Sequence, residues 1–147
     1  MSGVLGNLPL WSAVIATALA QVLKVSIILV TERRWAPERL LDTGGMPSSH
    51  TASVTALATS VGVLYGWGSP TFAIAAVLGS IVMYDATGIR RAAGQQAEAI
   101  NDLVKELGHL FDPRFQPRAP KTLLRHTYPQ VFVGALLGVA TALAVVL

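Results

Sequence analysis

The chain of 147 residues contains no cysteine, so it has neither a disulfide framework nor a thiolate to serve as nucleophile or metal ligand. It is also short of charge: 13% of its residues are Asp, Glu, Lys or Arg and 52% are hydrophobic. Soluble domains carry about 25% charged residues, roughly twice as much. That balance excludes a disordered chain and argues against an ordinary soluble domain. There is no internal repeat and no low-complexity tract.

Long stretches lack charge altogether. From Leu8 to Val30 the only charged side chain is Lys24, and there is none from Thr51 to Tyr84 or from Thr127 to Leu147. A helix needs roughly 20 apolar residues, with a range of about 17 to 25, to cross the hydrocarbon core of a bilayer. The expected fold is therefore an all-α integral membrane protein with four transmembrane helices, over about 8–30, 50–67, 70–87 and 129–147, in a single domain covering 1–147. Gly66-Trp67-Gly68-Ser69-Pro70 reads as a tight turn between the second and third spans. A cleaved signal peptide is the alternative for the first span, but Met1 to Pro9 carries no positive charge and the apolar run is too long.

The net charge of +3 would suit an acidic partner if the 11 basic residues were spread evenly. They are not. Apart from Lys24 they fall in the 31–46 connection (Arg33, Arg34, Arg39) or in the 88–126 connection (Arg90, Arg91, Lys105, Arg114, Arg118, Lys121, Arg125). The positive-inside rule then makes both connections cytoplasmic and puts both termini outside a plasma or cell inner membrane. Trp11 and Trp67 would lie near the outer interface and Trp35 near the inner one. No proline occurs from Asp85 to Leu110, where Ile89, Ala92, Ala93, Gln96, Ile100, Leu103, Val104 and Leu107 recur at helical spacing. The third span is expected to continue into an amphipathic cytoplasmic helix at the headgroups.

Four polar clusters share the predicted cytoplasmic end. Thr17, Gln21, Lys24 and Thr31 lie on one helical face, which should look into the bundle, although Lys24 could equally snorkel to the headgroups. Gly44-Gly45-Met46-Pro47-Ser48-Ser49-His50 opens the second span; it reads either as a capped helix start or as an anion site built on first-turn amides. Asp85 with Arg90 and Arg91 ends the third span, as a structural pair or as a phosphate clamp. His126 precedes the fourth span, where Gln130, four residues on, could hold its imidazole in the tautomer that attacks phosphorus; an interfacial histidine is the plainer reading. Gly134 and Gly138 continue that stripe and allow another helix close.

Together these residues resemble the phosphatidic acid phosphatase type 2 superfamily, which includes vanadium haloperoxidases, and within it the small divergent branch of acid phosphatase/vanadium-dependent haloperoxidase-related membrane proteins. The resemblance runs from Lys24 through Gly44–His50 and Tyr84–Ala97 to Arg125–Val131, and the Gly-Gly-Met-Pro-Ser-Ser-His string is its most specific part. It implies that Lys24, Gly45, Ser48 and Ser49 bind phosphate, that His50 protonates the leaving group, and that His126 is the nucleophile that becomes phosphohistidine. Thr31, Pro120 and Gln130 stand where the superfamily has Arg, Arg and Asp. Arg90 or Arg91 would then supply the missing arginine, and Asp85 either the missing negative charge or a ligand for Mg²⁺.

What the resemblance implies is a phosphoric monoester hydrolase of lipid metabolism, its active site facing the cytoplasm. Its substrate would be a membrane lipid phosphate such as phosphatidic acid, phosphatidylglycerophosphate or polyprenyl phosphate, with no cofactor required beyond the Mg²⁺ alternative. Four spans instead of the superfamily's usual six leave room for a homo-oligomer to close the site. A lipid-phosphate-binding or scaffold protein that has lost catalysis is the alternative, favoured by Gln130. A CDP-alcohol phosphotransferase is suggested by Asp85-x-x-Gly88-x-x-Arg91, but Ile89 and Ala92 stand where further metal-binding aspartates belong. Nucleic acid is disfavoured because the bases border membrane spans and lack an aromatic platform.

Overall fold

A computed structural model of the chain describes residues 3–33, 45–107 and 127–147. Among them the fold is all-helical: a short 3-10 turn at Val4–Gly6 is followed by α1 (Leu8–Glu32), α2 (Ser49–Tyr65), α3 (Pro70–Thr87), α4 (Ile89–Glu106) and α5 (Tyr128–Val146). Local chemistry sets the boundaries. Asn7 caps α1 by accepting the Leu10 N–H at 3.1 Å, and Ser69 caps α3 by accepting the Phe72 N–H at 3.2 Å, each ahead of a proline in the first turn. The expected turn between α2 and α3 is present, with Gly66 at φ +90° and Ser69 N–H donating to the Gly66 carbonyl at 3.1 Å. Its Trp67 ring lies against Gly62, where a Cβ would strike it, and meets Phe72 edge-on at 5.1 Å.

Among the described residues three helices are long and apolar enough to cross a membrane: α1, α3 and α5. The second expected span also folds as a helix, but α2 has 17 residues and is the least apolar of the four. Its place explains that composition: α2 packs against α1, α3 and α5 and so has little surface left for lipid. The core where α1, α2 and α5 meet is Ala16, Ala20, Ala52, Ala56 and Ala142, all fully buried. Bulky apolar side chains point outward instead, with Ile74 at 70%, Ile81 at 60% and Phe132 at 65% exposure. Small residues inside and large apolar ones outside suit a hydrocarbon solvent, in which helices associate by close packing.

The continuation of the third span is corrected in one respect. A helix does cover Ile89–Glu106, but α3 stops at Thr87 and Gly88, at φ −101° and ψ −87°, separates the two. On α4, Gly94 and Ala97 are buried whereas Ile100 and Leu103, and Leu107 just past its end, are exposed.

Helices α2 and α5 run parallel and nearly touch. A Cβ on Gly134 would lie 2.6 Å from the Ser48 carbonyl oxygen, and one on Gly138 would run into Thr55 Oγ1 and the Ala52 carbonyl. The sequence-level expectation that these glycines admit a close helix is met, and the partner is α2. Gly138→Val should therefore force the helices apart and destabilise the bundle by about 1–3 kcal/mol, the usual cost of overpacking. Thermal unfolding of the detergent-purified protein checks this, and an unchanged midpoint would contradict the close approach.

Candidate functional site

The start of α2 is built by its neighbours. Ser48 is its N-cap: Ser48 Oγ accepts the Thr51 N–H at 3.4 Å and the Thr51 hydroxyl at 3.0 Å. The Ser48 N–H donates to the Gln130 carbonyl at 3.1 Å, which ties the first turns of α2 and α5 together. Ser48 is fully buried and Ser49 nearly so, with Pro47 packed beneath them after a cis Met46–Pro47 peptide. The lone pairs of Ser48 are thus engaged in capping, whereas Ser49 turns toward α1 together with His50.

Lys24 does not snorkel. It is 2% exposed, and its stem packs on Gly45: a Cβ there would lie 3.4–3.6 Å from Lys24 Cδ, Cγ and Cε. Gly45 sits at φ +95°, a left-handed conformation that a side chain would strain. Lys24 lies about two turns before the end of α1, so α2 and α5 begin level with it rather than with Glu32. That offset explains Thr31, which was expected on the inward face but lies beyond the bundle, exposed, its hydroxyl donating to the Ile27 carbonyl at 2.8 Å. Thr17 and Gln21 do face inward, where with Ser49, His50 and Ser53 they line a cleft of about 240 Å³ between α1 and α2.

Asp85 is half-buried in the last turn of α3. Gly79 packs on Val54, and because α3 runs antiparallel to α2 this register brings Asp85 level with Ser48. Gln130 has a local task, since its Oε1 accepts the Thr127 N–H at 3.1 Å and completes the start of α5. The expected pairing of Gln130 with His126 lies outside the described residues, which resume at Thr127. His126 and Gly44 lie outside the described residues, as do the side chains of Arg90 and Arg91 in the first turn of α4. Among the described residues no group of three His, Asp or Glu could hold a metal ion.

The Divergent PAP2 family matches residues 5–141 of this sequence. The chain belongs to the divergent PAP2 family. It is also 41% identical, over 95% of its own length and 94% of the relative's, to the uncharacterized membrane protein YuiD of Bacillus subtilis (strain 168). No solved structure matches it. This divergent PAP2 protein is thus a phosphatase-related, multi-pass membrane protein. Its Lys24 side chain is buried and its stem packs on Gly45, just ahead of α2.

Two residues that sequence reasoning did not single out also shape the site. Thr51 supports the Ser48 cap and Ser53 lines the cleft; within a run of Ser and Thr along α2, nothing in the sequence marks these two. Lys24→Met keeps the aliphatic stem on Gly45 and removes the charge. Binding of inorganic phosphate or vanadate, followed by titration calorimetry on the purified chain, should weaken at least tenfold, because a hydrogen bond to a charged group is worth about 1.5–3 kcal/mol. Unaltered affinity would remove Lys24 from the anion site.

Proposed function

We propose that the protein is an integral-membrane lipid phosphate phosphatase working at the inner leaflet of the plasma membrane. The observation that carries this reading is Lys24, buried in a membrane helix with its stem packed on Gly45 just ahead of α2, in a chain of the divergent PAP2 family. A membrane protein keeps an ionisable group at such a place when function needs it. The phosphomonoester sits between the first turn of α2, Lys24 and Arg90/Arg91. His126 attacks phosphorus in line, the bond from phosphorus to the alcohol oxygen breaks, and protonated His50 donates its proton to that oxygen. Water then attacks the phosphohistidine, returning a proton to His50 and releasing phosphate. Asp85, level with Ser48, balances the imidazolium in place of Gln130, whose amide oxygen is occupied with Thr127 N–H. Positioning and preorganised charge supply most of the acceleration.

In this reading α2 is a fourth crossing, because it runs the length of α3 and the Thr55 and Ser60 hydroxyls donate to the Thr51 and Ala56 carbonyls at 2.7 and 2.8 Å. Four crossings return both termini to the outer face. The exposed Ile100 and Leu103 of α4, with Leu107 just past its end, rest on the headgroups. The occupied Gln130 also favours a second reading, a lipid-phosphate-binding protein that no longer turns over.

His126→Ala should abolish phosphate release and phosphoenzyme labelling, and His50→Ala should slow release about 10²–10⁴-fold, the usual contribution of a general acid. Undiminished release by the His126 variant would end this mechanism, and labelled lipid bound without any release by the wild type would favour the second reading. The absence of cysteine makes the topology directly testable. Gly68→Cys, at a position where an added Cβ meets nothing within 4 Å, should react with a membrane-impermeant maleimide on intact cells. Lys105→Cys, whose native side chain is 80% exposed, should react only after lysis; the opposite pattern would invert the protein and refute an inner-leaflet site.

A further inference from the structure

We infer that Val25–Val30, near the inner end of α1, stands in the hydrocarbon of the inner leaflet, and that hydrocarbon there reaches about 9 Å farther than beside α3 and α5. The leaflet is stepped around the protein. This rests on the inner-leaflet reading above only for which leaflet is stepped and for the lipid phosphate that meets the step. At about 1.5 Å per residue, the 17, 18 and 19 residues of α2, α3 and α5 span about 26–28 Å, and the 25 residues of α1 about 38 Å. A hydrocarbon core of about 30 Å suits the first three and falls short of α1. The surplus is all at one end. At the other, Asn7, Pro9 and Leu10 share a crevice with Val61 and Tyr65 of α2 and Thr71 of α3, so those helices are level there. Farther along, Ala16 and Ala20 meet Ala52 and Ala56, Gln21 shares a cleft with His50, and Lys24 lies on Gly45. Helices α1 and α2 thus run side by side in one register, and α1 does not absorb its surplus by tilting away.

What continues past the start of α2 is apolar. Between Lys24 and Glu32 the sequence is Val-Ser-Ile-Ile-Leu-Val-Thr, without a charge. Ile27 and Leu29 are exposed, and Val30 is 78% exposed. The two hydroxyls of this stretch, Ser26 and Thr31, donate to the Val22 and Ile27 carbonyls at 3.0 and 2.8 Å. Neither leaves a bare donor, which is what a residue facing lipid requires. On the other helices charge begins sooner: at Asp85, level with Ser48, on α3, and at Arg125, just ahead of α5. Charged residues mark the headgroups, so the two boundaries differ by the rise from Lys24 to Val30, about 9 Å. A bilayer meets such a mismatch by changing its thickness locally, at a modest cost per Å. Beside α3 and α5 the headgroups then stand level with the start of α2, whereas beside α1 a phosphate would have to sink through hydrocarbon to reach it. The lipid phosphate therefore comes from the sides of α3 and α5.

Because the chain has no cysteine, single nitroxide labels test the step. They are placed on Val30→Cys and on Tyr84→Cys, both exposed positions, in full-length protein reconstituted into vesicles of phosphatidylcholine and phosphatidylglycerol. Collision with oxygen, which concentrates in hydrocarbon, is compared with collision with a water-soluble nickel chelate; the ratio gives each label's depth below the nearest phosphates. The expected result is a Val30 label among the acyl chains and at least as deep as the Tyr84 label, although Val30 lies about 9 Å or more farther along the bundle axis. A Val30 label reached by the chelate stands in water and overturns the inference. One reached by neither reagent is covered by another part of the chain or by a second copy, and also overturns it. So does a Val30 label among the acyl chains but shallower than the Tyr84 label by about 9 Å, since the leaflet is then flat. Leu29→Cys with Tyr128→Cys repeats the comparison if a label disturbs folding. The labels read depth whether or not phosphate is released, so failure of the phosphatase reading leaves the step standing, and a flat leaflet leaves that reading standing.

Discussion

Gly134 and Gly138 let the backbone of α5 reach α2 at Ser48, Thr51 and Thr55, and the arrangement of the charged end of the bundle follows from that approach. With no side chain between them, the Ser48 N–H bonds directly to the Gln130 carbonyl, and the first turns of both helices are held at one depth. The N-cap of α2 is thereby fully buried, its exit from solvent compensated by Thr51. Hydrocarbon gives apolar side chains no reason to gather, so close backbone packing carries the association that a greasy core would carry in water.

The same solvent explains why a polar helix occupies the centre. The Thr55 hydroxyl donates to the Thr51 carbonyl at 2.7 Å and that of Ser60 to Ala56 at 2.8 Å, so neither leaves a donor bare. Packed among α1, α3 and α5, α2 carries Ser49, His50 and Ser53 along the face toward α1. Lys24 is buried as well, its stem packed on Gly45.

Much of this was legible in the sequence. Charge-free stretches marked the helices to within a few residues, because the length of a membrane helix is imposed by the bilayer and not by tertiary contacts. Gly66 and Pro70 marked the turn, and the Gly134/Gly138 spacing marked a close contact. The fate of Lys24 was open, since a lysine near a helix end reads the same whether it snorkels or is enclosed. Thr31 was misplaced because helical periodicity gives a direction around an axis and says nothing about where neighbouring helices begin. The break at Gly88 was missed for a related reason: apolar spacing continues across it while the backbone does not.

Sequence alone therefore determined the class of protein, the helices and the residue types gathered at one end, since burial in a bilayer and the positive-inside bias act on composition segment by segment. Only the tertiary structure decided that α2 is central, that Ser48 serves as a cap while Ser49 and His50 face α1, and that Thr17, Gln21 and Ser53 share a cleft with them. Those outcomes depend on the axial offset between helices, which is set by where two backbones can touch.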